Sequence, residues 1–469
     1  MIIFSIIYFV IATSFLLFSW VLPASYNLFY IGLGASFSFA GYLSSVFFKR
    51  FVIGRFVLID LFNILALTIC ILHFQYPFLE SLGVVSSSYM EFFWVDNSTA
   101  TFAIFIATAG YFYFLSGYFY YLQKMRMLFY RPIRTVQFID KSRIENMVYI
   151  FTFFAVVLFV VHIICSGGEV FNEVYSSKYI TRGVLGYILK LFVPILLFAI
   201  VLDIIRIRMF FLNVGIIQFA LKLNPFLLGF SVFFSIAFLY MGSRTLPLCV
   251  ILTYIIGFSV FIKNINVLIS ISAIVFGVFS MAIVQEMRGN DMYVNRSDKI
   301  AKTAQVTSTF RFYEYTNSLS AVGRNLNELT CIVPSIYDYK MGFFMGSALL
   351  QSIPFAPSVL NLYGSAQFLT WHKFGLGGNH GTGTTNIADL YCDFGSPGMI
   401  LFFFYGIFIA LMEVKVRTTN SINYAVVYLA FSAYSVFICR SSFLEGAAVA
   451  LQMLFLAWCV KWYFSRKVS

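Results

Sequence analysis

Apolar residues fall in runs of bilayer-crossing length along almost the whole chain, and one polar stretch, 287–396, interrupts them near the C-terminal end. A helix needs roughly 20 apolar residues to cross a hydrocarbon layer about 30 Å thick, and in lipid only helices and closed barrels satisfy their own backbone. About twelve runs qualify: 2–22, 26–48, 52–73, 101–122, 146–166, 184–203, 225–241, 245–262, 265–286, 397–413, 421–439 and 446–464. Charged residues make up only 11 % of the chain, against about 25 % in soluble domains, which excludes a water-soluble enzyme. The expected fold is an all-α polytopic membrane protein of about twelve transmembrane helices, a single integral membrane domain over 1–469. The first run has no basic leader or small-residue cleavage site and reads as a retained span.

Lys and Arg in short connections stay on the cytoplasmic side during insertion. With the N-terminus inside, Lys49, Arg50, the basic 124–143 connection, Arg206, Arg208, Lys222, Lys263, Lys415, Arg417, Arg466 and Lys467 all fall inside, and both termini are cytoplasmic. The 74–100 connection carries Glu80, Glu91 and Asp96 but no Lys or Arg, and falls outside together with the large 287–396 loop. Part of the net charge of +12 is then a topology signal, so no nucleic-acid partner is expected. The stretch 204–224 mixes Arg206, Arg208 and Lys222 with apolar residues and is expected to lie along the inner surface.

The outer loop has structure of its own. Residues 303–330 read as a helix, with Phe310, Tyr313, Asn317 and Ser320 at helical spacing, while 342–360 is apolar but broken by Pro354 and Pro357 and suits the membrane interface. Cys331 and Cys392 both lie in this loop, either paired in an oxidising compartment or as two buried thiols. No paired His or Cys spacing and no Asp-X-Asp motif offers a divalent site, so neither metal nor cofactor is expected.

Several charges fall where a membrane protein avoids them unless they have a partner or a task. In this topology Arg182, Arg244, Arg288 and Arg440 all reach the outer membrane–water boundary. A planar guanidinium there bonds phosphate oxygens bidentately and suits an isoprenoid-linked diphosphate, although any one of these arginines taken alone equally suits a lipid headgroup. The segment 375–398, GLGGNHGTGTTNIADLYCDFGSPG, can fold tightly around a polar ligand before the next span. It lacks the Lys-Ser or Lys-Thr pair of a phosphate-cradling loop, so no nucleotide site is read. His380 can act as acid, base or donor, or simply close a loop turn. Asp389 and Asp393 share a helix face if the helix starts early enough, and either acid, like Glu445 beside Arg440, also reads as a structural ion-pair partner.

In chain order the landmarks are Gly242-Ser243-Arg244-Thr245, Arg288-Gly289, a polar helix followed by Ile353-Pro354, Asn379-His380-Gly381, Leu390-Tyr391, Phe394-Gly395 with Gly398, and Arg440 between the last two runs. From about residue 150 onward this order resembles the bacterial oligosaccharide repeat-unit polymerases, the Wzy family of O-antigen and enterobacterial common antigen polymerases. Many relatives carry Glu and Asn where this chain has Asp389 and Asp393, so the roles of those two acids stay open. The resemblance implies a metal-independent glycosyltransferase with a GT-C-like fold, in the bacterial inner membrane, with its site facing the periplasm. Donor and acceptor would both be undecaprenyl diphosphate-linked glycans, presented from membrane lipid, with a chain-length regulator protein as a candidate partner. Arg244, Arg440 and Arg182 would bind diphosphate, Arg288 and His380 would be catalytic, and Asp389, Asp393 and Glu445 would serve as acid, base or sugar ligands. An O-antigen ligase, or a flippase or transporter of the lipid-linked unit, is the competing expectation.

Overall fold

A computed structural model describes residues 2–85, 94, 96–126, 141–166, 191–211, 214–240, 245–286, 312–351, 353, 356–375, 383–419, 421–442 and 444–466. The described residues are helical, with no strand among them. In chain order the helices are α1 (Ile3–Val21), α2 (Leu28–Ile53), α3 (Leu61–Ser81), α4 (Ala100–Lys124), α5 (Lys141–Ser166), α6 (Phe192–Phe210), α7 (Ile216–Lys222), α8 (Pro225–Tyr240), α9 (Thr245–Gly257) and α10 (Val267–Glu286). They continue as α11 (Phe312–Ile332), α12 (Phe343–Leu350), α13 (Ala356–Val359), α14 (Ser365–Phe374), α15 (Asn386–Phe394), α16 (Leu401–Thr418), α17 (Ile422–Ala433), α18 (Ser435–Arg440) and α19 (Ala447–Arg466). Each apolar run carries a helix. Among the described residues seven are long and apolar enough to cross a membrane, or eight if the bent pair α7–α8 is one span. The 421–439 run is not continuous: it breaks at Tyr434 into α17 and α18.

The chain divides into two compact units, one of residues 1–134, 317–420 and 434–448, the other of 135–316, 421–433 and 449–469.

In the first unit α4 is the axis, with nearly every side chain buried, and α1, α2 and α16 pack around it. Lipid supplies no hydrophobic force between apolar helices, so close contact and hydrogen bonds must hold them. Both are present. The Ser116 hydroxyl donates to the Ser5 carbonyl at 2.8 Å, joining α4 to α1, and Tyr8 meets Ser44 at 2.8 Å, joining α1 to α2. Against α16 the backbones touch: a Cβ on Gly117 would come within 1.8 Å of the Phe403 carbonyl oxygen, and one on Gly406 within 2.2 Å of that of Phe114. Only glycine permits this crossing.

The two ends of the first unit differ in chemistry. At one end Lys49 of α2 lies 2.5 Å from Asp60, which caps α3, and 3.0 Å from Glu413 of α16, and all three side chains are buried. Arg417 adds a 3.0 Å contact to Glu413, which also accepts from Tyr118 at 2.7 Å. Lys49 and Arg417, read from sequence as topology charges, are thus neutralised within the protein. At the opposite end Glu80 accepts from Tyr26 and from Trp94, each at 2.9 Å, and Asp96 pairs through its backbone with Asn327 of α11. Asp96 of the 74–100 connection and Asn327 of the polar stretch therefore meet at one end of the first unit.

In the second unit α5 packs on α6, around a cluster of Phe159, Phe192, Phe234 and Phe238. The expected surface segment 204–224 is divided here. Helix α6 continues to Phe210, because buried Arg206 is paired with Asp203 at 2.7 Å and donates to the Lys222 carbonyl at 2.6 Å, so it need not seek water. Only α7 turns aside, meeting α8 at 103°.

Candidate functional site

The polar helix α11 does not stand apart from the bundle. A Cβ at Gly323 would lie 1.9 Å from the Leu72 carbonyl oxygen, so α11 presses its backbone onto the middle of α3. Leu72 is nine residues before Ser81, about 14 Å along the helix axis. One turn later Asn327 donates to the Asp96 carbonyl at 3.0 Å and to Thr99 at 3.1 Å, while Thr330 reaches Thr99 at 3.1 Å, fastening α11 to the start of α4. Side chains of α11 before Val322, Tyr313, Asn317 and Ser320 among them, lie outside the described residues, and so does Phe310.

Helix α15 begins at Asn386, capped by Thr385, whose hydroxyl accepts from the Ala388 N–H at 3.2 Å. That start puts Asp389 and Asp393 on one helix, but in different surroundings. Asp389 accepts a hydrogen bond from Ser365 of α14, whose oxygen is also 2.9 Å from the Thr384 hydroxyl. Asp393 accepts from the Phe344 and Met345 N–H groups at 3.0 and 2.9 Å, so it anchors the first turn of α12. Burial pushes the Asp393 carboxyl above its ordinary pKa and outweighs the opposing pull of those N–H donors. Lys373 of α14 pairs with Glu328 of α11 at 2.5 Å, and Asn325 donates to the Gly383 carbonyl at 3.0 Å. Helices α11, α14 and α15 thus form one polar assembly on the first unit.

Helix α18 packs on both α3 and α15. The Cys439 thiol lies 3.7 Å from the Leu65 carbonyl, sixteen residues before Ser81, or about 24 Å along α3. Arg440 therefore starts deep in the helical layer and not at the outer boundary that the unbroken 421–439 run implied; the break at Tyr434 accounts for the difference. Ser441 donates to Glu445 at 2.9 Å in the following turn. Cys331 and Cys392 are both free thiols: Cys331 is hydrogen-bonded to Thr99 and Asn327, and Cys392 is buried. Arg182, Arg244, Arg288 and His380 lie outside the described residues.

Sequence reading passed over His73 and Asn386. His73 sits within an apolar run, and an ionisable side chain there is itself a signal. Its Nε2 is buried with no hydrogen-bond partner among the described residues, and the Asn386 amide is likewise buried with none among them. Glu328, Lys373, Ser365 and Thr384 have ordinary loop composition around them, and only the fold brings them together. Among the described residues no group of three His, Cys, Asp or Glu side chains is arranged to hold a metal ion. No protein-family model, no curated protein and no solved structure matches this chain, whose function has to be read from its own residues.

Proposed function

We propose that the chain is a membrane glycosyltransferase of the Wzy type, with about twelve crossings and a GT-C-like fold. It joins undecaprenyl diphosphate-linked repeat units in the bacterial inner membrane, with the active face toward the periplasm. A hydroxyl of one lipid-linked unit attacks the anomeric carbon of the chain carried by another, and the bond to undecaprenyl diphosphate breaks. The acceptor proton passes to a base, for which His380 is the candidate, and the diphosphate leaves with an added negative charge. Arg244, Arg288 and Arg182 would receive that charge, without Arg440, whose place beside Leu65 is about 24 Å along α3 from the loop-bearing end. Donors aimed at charge that develops only as the bond breaks favour the transition state over the ground state.

The observation that carries this reading is the sinking of polar α11 and α15 among apolar helices on one end of the first unit, with Asp389 and Asn386 buried beside the helix that ends in Arg440. On this reading the polar headgroup binds there while its lipid tail stays in the bilayer. The interleaving of the two units along the chain also departs from the successive halves of a transporter.

The test is reconstitution of the purified chain with lipid-linked repeat units in EDTA. A ladder of longer lipid-linked glycans together with free undecaprenyl diphosphate is expected. Activity appearing only with added Mg²⁺ or Mn²⁺ would overturn the metal-independent mechanism. In cells, loss of the gene should leave single repeat units on the lipopolysaccharide; loss of every unit would point to a ligase instead.

A further inference from the structure

We infer that Lys141 and Lys222, gathered on Phe211 at one end of the second unit, hold the headgroup of an anionic phospholipid whose chains lie against α7. The site is independent of the reaction proposed above. The Lys141 ammonium is 5.1 Å from the centre of the Phe211 ring and that of Lys222 is 4.3 Å from it, and both lysines are exposed. An aromatic face attracts a cation, but one ring shared by two ammonium groups leaves two like charges side by side.

The protein supplies no acid to offset them. Asp203, the buried carboxylate of this end, already accepts from Arg206 at 2.7 Å and from the Asn224 N–H at 2.8 Å. Glu145, one turn after Lys141 on α5, forms an ion pair with neither lysine, and neither has an ion-pair partner among the described residues. The fold nevertheless fixes where the two cations start. Lys141 opens α5, Phe211 directly follows α6, and Lys222 closes α7, where its carbonyl is held by Arg206 at 2.6 Å. A pair of like charges built into one place in this way calls for an anion from outside.

The surroundings say which anion. Helix α7 leaves α8 at 103°, so with apolar α8 crossing the bilayer α7 lies along its surface. Phe219 of α7 is buried against Phe258, with ring centres 5.0 Å apart, whereas Ile217 and Leu221, four residues apart on one face, are 77 % and 80 % exposed. On a surface helix such a face belongs among acyl chains, and the cations beside it then stand at the level of the lipid phosphates. A zwitterionic headgroup would bring an ammonium of its own to the pair, and a headgroup of net negative charge does not. A free phosphate would meet the charges but leave the Ile217 and Leu221 face uncovered.

Native mass spectrometry of the full chain, titrated in detergent with phosphatidylglycerol and with phosphatidylcholine as zwitterionic control, reads the site. Wild type should bind phosphatidylglycerol the more tightly. Lys141→Gln and Lys222→Gln should each weaken that binding about fivefold, the share expected of one basic residue at an anionic surface, and leave phosphatidylcholine unchanged. Lys222→Arg, which keeps the charge, should retain it. Lys461→Gln removes a charge from the same unit, but one already bonded to Asn423 at 2.8 Å, and should change nothing. Equal affinity of wild type for the two lipids overturns the site, as does undiminished phosphatidylglycerol binding in the Lys141→Gln, Lys222→Gln double variant. Equal weakening by Lys461→Gln overturns it too, because the preference would then follow net charge alone. Glycerol 3-phosphate, the charged group without its chains, should not displace the lipid at matched concentration; displacement as effective as that by phosphatidylglycerol itself would make this a site for a soluble anion and end the lipid assignment.

Discussion

Lys49 and Glu413, 364 positions apart in the chain, meet at 3.0 Å inside the first unit. With Asp60 on the other side of the ammonium and Arg417 on the other side of the Glu413 carboxylate, the charges alternate in sign. Burial of four charges is tolerable only in such an arrangement, because each one offsets the desolvation of its neighbours. The cluster ties the end of α2, the start of α3 and the end of α16 into one corner.

Breaking that corner should be costly. Lys49→Met leaves two buried carboxylates with too few cations, and removal of one partner from a buried pair typically costs about 3–5 kcal/mol. The purified variant should melt well below wild type in detergent. Adding Asp60→Leu leaves Glu413 with Arg417 and should recover most of the loss, as a double-mutant cycle would show. Equal melting of wild type and Lys49→Met would mean the cluster contributes nothing.

Backbone contact gives a second set of outcomes. Gly117→Ala places a methyl 1.8 Å from the Phe403 oxygen, and Gly323→Ala places one 1.9 Å from that of Leu72, so both should fail to yield a monodisperse protein. Gly346 of α12 has nothing within 4 Å of a new Cβ. Gly346→Ala should therefore be stabilising, by up to about 1 kcal/mol from helix propensity. Size-exclusion profiles of the three variants decide the matter.

Asp393 should behave as an anchor for α12. Asp393→Ala removes a helix cap and is expected to cost about 0.5–2 kcal/mol, with faster proteolysis near Phe343. Because burial raises its folded pKa above the ordinary carboxylate value, the folded state holds the proton more readily than the unfolded state. Its contribution then falls as pH rises from about 4 through the raised value and is flat above it. Asp393→Asn should remove that slope from a plot of melting temperature against pH, and a slope unchanged in Asp393→Asn would assign it to another group.

Sidedness can be checked by labelling single cysteines in a background lacking the native ones. Met341→Cys, at a position 78 % exposed near the polar assembly, should react with an impermeant maleimide in intact cells. Arg50→Cys, exposed in the last turn of α2, should react only after permeabilisation. The opposite pattern would invert the orientation and move the active face.

Helical class and the approximate place of each apolar run could be read from the chain, because spanning length and composition are local properties. The shared helix of Asp389 and Asp393 stayed conditional on an early helix start, which the Thr385 cap supplies. Charge pairing could not be read: Lys49 and Arg417 look like topology residues until α16 brings Glu413 back beside α2. The depth of Arg440 was hidden for a different reason, since Tyr434 interrupts a run whose hydropathy is continuous. His73 and Asn386 were hidden because lacking a partner is a property of the folded surroundings, not of the residue.

The α4–α16 crossing also sets a timetable. Gly117 and the face around it are complete in sequence long before Phe403 exists: about 280 residues separate the two helices, roughly 15–60 s of synthesis at about 5–20 residues per second. During that interval the most buried helix of the first unit is in the membrane with one flank open. A chaperone or insertase that shields small-residue flanks would act on this chain at that stage, and a ribosome stalled before residue 400 would leave an unfinished bundle with its axis exposed to other helices.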